Sequence, residues 1–139
     1  MMLKILRRDE EGAAAVEFAI AVPVLVTMLY GIFQVGLLFQ ANAGMQHALG
    51  EGARYATLCL TPTSASGCTV PTDANIQARI NSKLFGKSDG TFTVAAPVTT
   101  NNSYKTLTVT YSRAMNFLFF QGPTVTLTRT KTVYIVQNT

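Results

Sequence analysis

Seven carboxylates, one histidine and two cysteines are the residues of this 139-residue chain best suited to chemistry, and their placement argues against catalysis. Asp9, Glu10 and Glu11 crowd together ahead of Gly12, leaving Glu17, Glu51, Asp73 and Asp89 scattered downstream. General acid–base work needs two groups held together at different pKa values, and no motif pairs any of these four. His47 is the sole histidine; it has no cysteine, histidine or carboxylate at metal-ligand spacing and no Ser/His/Asp arrangement around it, so it reads as a surface residue of a helix. The expectation is a chain that is not an enzyme, with no catalytic residue, no metal and no cofactor.

Glu17 poses a different question, because of the element that carries it. From Phe18 to Phe39 the chain runs FAIAVPVLVTMLYGIFQVGLLF without a charge. About 20 apolar residues cross a bilayer as a helix, and a core helix of a soluble protein would keep a polar stripe that this run lacks. Only 13% of all residues are charged, against roughly a quarter in a soluble domain. Lys4, Arg7 and Arg8 precede the run, and the next basic residue is Arg54. Lysine and arginine favour the cytoplasmic side, so the expected orientation is N-terminus inside and residues from about 41 onward outside. Ala41-Asn42-Ala43 weakly resembles a signal-peptidase site, but the helical pattern continues through it.

A carboxylate at the start of a membrane helix is costly and usually has a partner or a purpose. Glu17 can sit at headgroup level, favoured by the helix dipole. Alternatively, a cut after Gly12 would leave a new amino group on Ala13, one helical turn from Glu17. That amine and a neighbouring subunit's carboxylate could then pair in low dielectric and set register between subunits.

These residues carry a resemblance. Arg8-Asp9-Glu10-Glu11-Gly12-Ala13-Ala14-Ala15-Val16-Glu17-Phe18-Ala19 resembles the start of TadE-like minor pseudopilins of tight-adherence (Flp/Tad) pili. The shared pattern is a basic leader, a glycine, four residues, Glu-Phe, and an apolar helix containing a proline, here Pro23. A second block, Glu51-Gly52-Ala53-Arg54-Tyr55-Ala56, resembles that family's motif after the membrane helix. The resemblance implies processing between Gly12 and Ala13 by a membrane aspartic prepilin peptidase, and an assembly contact through Glu17 and Phe18. It also implies partnership with other pilin or pseudopilin subunits and the pilus assembly machinery. Glu11 departs from the basic character common near such a cut.

Beyond the apolar run, Met45, Ala48, Leu49, Ala53 and Ala56 fall at helical spacing, so the helix is expected to continue to about Leu58 with that stripe packed on something. Gly44, Gly50 and Gly52 each cost about 1 kcal/mol of helix stability relative to alanine, and suit places where another backbone comes close. Glu51 and Arg54 stand three apart and can pair on one face. Cys59 and Cys68 flank a turn-rich stretch. Disulfides persist in the periplasm, so a bridge is expected, with two free thiols as the alternative.

The remainder reads as a small external domain. Thr72-Asp73 opens a short helix with Ile76, Ile80 and Leu84 on its apolar face, and Gly86 can end it. The period then changes to two: Phe92, Val94, Ala96 and Val98; Leu107, Val109 and Tyr111; Val125, Leu127, Val133 and Ile135. These predict about three antiparallel strands. Arg129 and Lys131 interrupt the last apolar face, which a bulge or an exposed stretch would explain. Ala114–Phe120, AMNFLFF, reads either as a loop over the core or as a subunit contact through Phe117 and Phe119. Downstream basic residues are scattered, so nucleic acid is not an expected partner.

The expected fold is therefore α+β: a long N-terminal transmembrane helix extending into a small external domain. Residues 1–12 form a cytoplasmic leader, 13–40 the transmembrane helix and 41–139 the periplasmic domain. The expected place is the bacterial inner membrane, single-pass, and the expected role is support of pilus assembly. An uncleaved anchored binding or interaction domain is the alternative.

Overall fold

The computed structural model describes residues 10–60, 62–63, 67–117 and 119–135. The basic residues expected in the leader, Lys4, Arg7 and Arg8, lie outside them.

One helix, α1, runs unbroken from Glu10 to Ala56. At 1.5 Å per residue its 47 residues span about 70 Å. It passes through Ala41-Asn42-Ala43 and through residue 40, where the membrane segment is expected to end, without interruption. Pro23 is tolerated inside it; the Thr27 hydroxyl donates to the Pro23 carbonyl oxygen at 2.7 Å. The two ends of the helix have opposite surroundings. Its most apolar eighteen-residue window has no buried residue. Past that window Ala41, Met45, Ala48, Leu49, Ala53 and Ala56 are buried, the stripe that the 3.6-residue period predicts.

What covers this stripe is a small α+β layer. A ribbon of two short strands, β1 (Pro62–Thr63) and β2 (Gly67–Cys68), leads to helix α2 (Asp73–Lys83). Thr72 is the N-cap, its hydroxyl accepting from the Asn75 amide, which satisfies one of the free donors of the first turn. Ile76 and Ile80 are fully buried. The helix ends at Lys83, three residues before Gly86. Gly86 has φ +76°, and a Cβ on it would lie 2.9 Å from the Gln40 backbone. Its role is to let the connection pass close against α1 rather than to cap α2.

Four further strands follow: β3 (Thr91–Val94), β4 (Val98–Thr100), β5 (Tyr104–Asn116) and β6 (Gln121–Tyr134). All pair antiparallel with β5, which is central. The sequence reading of residues 91–98 as one strand becomes two. β3 and β4 run end to end along one edge of β5, and the steps from Val94 to Val98 oppose the shorter run from Val109 to Thr106. Pro97, which has no N–H to give to a ladder, sits in that gap. Asn101 and Asn102, both at φ 51°, form the tight turn into β5, a geometry that asparagine accepts.

Alternate residues of β5 face inward: Lys105, Leu107, Val109, Tyr111, Arg113 and Met115 are buried. Tyr111 stacks at an angle on Phe92, ring centroids 4.7 Å apart, and its hydroxyl donates to the Lys87 carbonyl oxygen at 3.0 Å. The core is thus shared by three elements, α1, α2 and the sheet.

Candidate assembly and membrane-facing surface

At the N-terminal end of α1 the groups expected to act in processing and assembly are unpacked. A Cβ on Gly12 would meet nothing within 4 Å. Ala13 and Glu17 are exposed, as is Phe18, and among the described residues no side chain pairs with Glu17. The Gly12–Ala13 bond lies in the first turn of the helix, where glycine weakens helical structure and the chain frays most readily.

The second motif block behaves differently. Gly52 faces α2: a Cβ there would sit 2.3 Å from Ile80 Cγ1. Gly44 faces the segment after α2: a Cβ there would come within 2.1 Å of the Phe85 carbonyl oxygen. Gly50, by contrast, faces open space. Close approach therefore accounts for two of the three glycines. The missing side chain at Gly52 leaves the room that Ile80 fills against α1.

Glu51 does not pair with Arg54. It reaches α2 instead, where Arg79 Nη2 stands 3.5 Å from Glu51 Oε2, and the Arg79 guanidinium carbon lies 6.0 Å from the Tyr55 ring centroid. A carboxylate, a guanidinium and an aromatic ring from two helices thus form one partly exposed cluster, with Arg54 and Leu58 beside it. Arg54 is exposed and makes no ion pair among the described residues, while its carbonyl oxygen accepts from the Thr57 amide and hydroxyl as α1 ends. The sequence named Glu51 and Tyr55; Arg79 carried no signal beyond its place on a short helix.

Two charged residues on the buried face of β5 also escaped the sequence reading. Lys105 forms an ion pair with Asp73 in the first turn of α2. Arg113, with 2% of its side chain exposed, reaches Asp89 at 3.4 Å, while its Nε and Nη1 have no partner among the described residues. Arg129 lies on the helix-facing side of β6 opposite Val109, and its Nε donates to Asn42 Oδ1 at 2.7 Å. It belongs to a docking contact with α1. The β5–β6 bulge is elsewhere, between Ala114 and Asn116, and residues 128–132 are exposed, so Arg129 and Lys131 lie on an exposed stretch, the alternative to a bulge.

Ala114–Phe120 is not a loop over the core. It ends β5 and forms the tip of the β5–β6 hairpin, reaching toward the apolar half of α1. The Gln34 side-chain amide donates to the Asn116 carbonyl oxygen at 3.0 Å, and Phe117 lies beside Gly31. Phe117 stacks on Phe120, centroids 4.7 Å apart. Phe119 and Phe120 remain 67% and 56% exposed; Leu118 lies outside the described residues.

His47 is exposed, its ring tilted against Phe85 at 5.7 Å. Among the described residues no three of His, Cys, Asp and Glu stand together as a metal site would require. Cys59 is not a free thiol; the side chain of Cys68 lies outside the described residues.

No curated protein and no solved structure matches this chain. One family model does. It spans the open glycine and the Glu17 carboxylate at one end of α1 and the Glu51–Gly52 docking contacts at the other, and ends two residues before the helix does: residues 12–54 match the family model of TadE-like proteins.

Proposed function

We propose that this chain is a minor pseudopilin, a membrane-anchored subunit that supports assembly of a tight-adherence pilus. One observation carries the reading. The TadE-like match covers residues 12–54, and within that one helix lie an exposed apolar half and a half that docks the folded domain. The first half is available to a bilayer and to neighbouring subunits, and the second presents the domain outside.

Within this reading residues 1–12 are a leader on the cytoplasmic side of the inner membrane, removed after Gly12 by a prepilin peptidase. Residues 13–40 cross the membrane and residues 41–139 stand in the periplasm. Glycine at the cut lets the backbone lie close in a protease site. Glu17, unpaired among the described residues, is supplied with a partner by the new Ala13 amine of an adjacent subunit, and Phe18 packs beside it. The chain is the peptidase's substrate, not a catalyst.

Mass spectrometry of the mature N-terminus from membrane-extracted protein tests this, with Gly12→Ala and Glu17→Ala alongside. A chain beginning at Ala13, and retained at full length in the Gly12 variant, supports prepilin processing. A wild-type chain that keeps its leader leaves an anchored external interaction domain, and the assembly role of Glu17 is lost with it.

A further inference from the structure

The apolar half of α1 is not alone at its depth. Pro23, Thr27, Gly31 and Val35 form one stripe at four-residue spacing, and with Phe117 and Phe119 they line an open apolar groove of about 750 Å³. The Gln34–Asn116 hydrogen bond fixes the hairpin tip level with the upper part of the apolar run. If the membrane segment ends at Phe39, Gln34 lies about 7 Å inside that boundary. If it starts at Ala13, about 20 residues bring it to the level of Phe33, and the tip rests at the boundary itself. In both placements Phe119 and Phe120 meet lipid rather than bulk water.

The backbone of the tip suits that environment. A backbone polar group that leaves water without a partner costs free energy, so a tip that enters the headgroup–acyl boundary needs its amides and carbonyls met. The Phe117 amide donates to the Phe120 carbonyl oxygen at 2.8 Å, and the Phe120 amide returns a bond to the Phe117 carbonyl oxygen at 3.3 Å. The Asn116 carbonyl takes its bond from Gln34. Gln34, a polar residue within the apolar run, is 2% exposed; its amide nitrogen closes an acceptor that lipid could not, while its Oε1 has no partner among the described residues.

We propose that the β5–β6 tip is a second membrane-inserting element: Phe117, Phe119 and Phe120 enter the leaflet on the domain's side, and a lipid acyl chain fills the groove between the tip and α1. The choice of lipid follows from continuity. The helix wall of the groove is the surface of the segment that crosses the bilayer, so the groove opens onto acyl chains along its length. Apolar side chains of this kind insert about 5–10 Å into the headgroup–acyl boundary. The proposal rests on α1 crossing the membrane.

The chain has no tryptophan, so single tryptophans report without background. Full-length Phe119→Trp, Phe120→Trp, Leu29→Trp and Tyr134→Trp proteins are reconstituted in phosphatidylcholine vesicles, with and without bromine on the acyl chains. Leu29 marks the exposed apolar half of α1; Tyr134, also exposed, marks the far end of β6. The expected result is blue-shifted emission and loss of most intensity to bromine at positions 119, 120 and 29, with position 134 unquenched. Quenching at 29 without quenching at 119 and 120 overturns the tip proposal and leaves the anchor intact. A blue shift at the tip without bromine quenching also overturns it, and assigns the tip to a second copy of the chain. No quenching at 29 removes the anchor and the tip proposal together.

Discussion

The carbonyl oxygen of Phe85 occupies the space that a side chain on Gly44 would need, 2.1 Å from where its Cβ would stand. The obstructing atom belongs to backbone, so it cannot swing aside as a side chain would. Gly44→Ala must push the segment after α2 away from α1. The expected cost is about 1–3 kcal/mol, read as a lower unfolding midpoint of the detergent-solubilised chain. Gly50→Ala is the matched control. Nothing stands near it, so the same replacement should stabilise the helix by up to about 1 kcal/mol. Equal effects at the two positions would contradict this packing.

The link between Gln34 and the hairpin tip can be cut without altering the tip. Gln34→Ala removes a side-chain donor from the Asn116 carbonyl oxygen, a loss of about 1 kcal/mol. Hydrogen exchange should rise at the Phe117 and Phe120 amides and stay unchanged at the centre of β5, around Val109. Unchanged exchange at the tip would mean that Gln34 does not hold it.

Asp73 serves α2 twice, as an acidic residue in its first turn and as the partner of buried Lys105. Asp73→Asn keeps the shape and removes the charge, leaving an ammonium with little access to water. A cost of roughly 1.5–3 kcal/mol is expected, as for hydrogen bonds to charged groups. The Glu51–Arg79 pair should behave otherwise. Its side chains are 31% and 43% exposed, and such pairs contribute at most about 1 kcal/mol. Glu51→Gln should therefore unfold close to wild type, in low and high salt alike. If pilus assembly is lost while the fold persists, the cluster acts on a partner.

A bridge between Cys59 and Cys68 is expected to resist alkylation in denaturant until reductant is added. Closing a loop of this size contributes about 2–3 kcal/mol in the chain-entropy account, so the Cys59→Ser, Cys68→Ser double variant should be destabilised by a similar amount. The antiparallel pairing of Pro62 with Cys68 supports the prediction, because it turns the chain back on itself. Two reactive thiols in the unreduced denatured protein would sink it.

Much of this architecture was legible because it rests on periods. The stripe Met45, Ala48, Leu49, Ala53 and Ala56 and the alternation Leu107, Val109, Tyr111 each predicted a buried face, and both faces are buried. What escaped depends on which elements meet. Glu51 and Arg54 share a helix face, but α2 brings Arg79 to the carboxylate. Arg129 looked like an interruption because its partner, Asn42, is 87 residues away along the chain. Lys105 and Arg113 fall in the buried phase of β5, yet a residue's polarity outweighs its phase until a carboxylate is seen to answer it. The break between β3 and β4 was signalled by Pro97, whose effect depends on which edge of the strand is paired. At the candidate surface, the sequence singled out Glu17, the Glu51 block and the two phenylalanines, but not the contact between Gln34 and Asn116, 82 residues apart, that holds the hairpin tip against α1.

The unbroken passage of α1 from Glu10 to Ala56 has a mechanical consequence. Two bodies joined by a flexible linker can be pulled apart until the linker is taut, and each turns independently. Here the helix that carries the exposed apolar run also supplies much of the domain's core. A load on the folded domain passes along the helix axis as tension in its hydrogen-bond ladder, with no slack to take up first. A tilt or rotation of the apolar half becomes the same tilt or rotation of the sheet, so in the proposed membrane arrangement an event within the bilayer is read as a change in the direction the domain points.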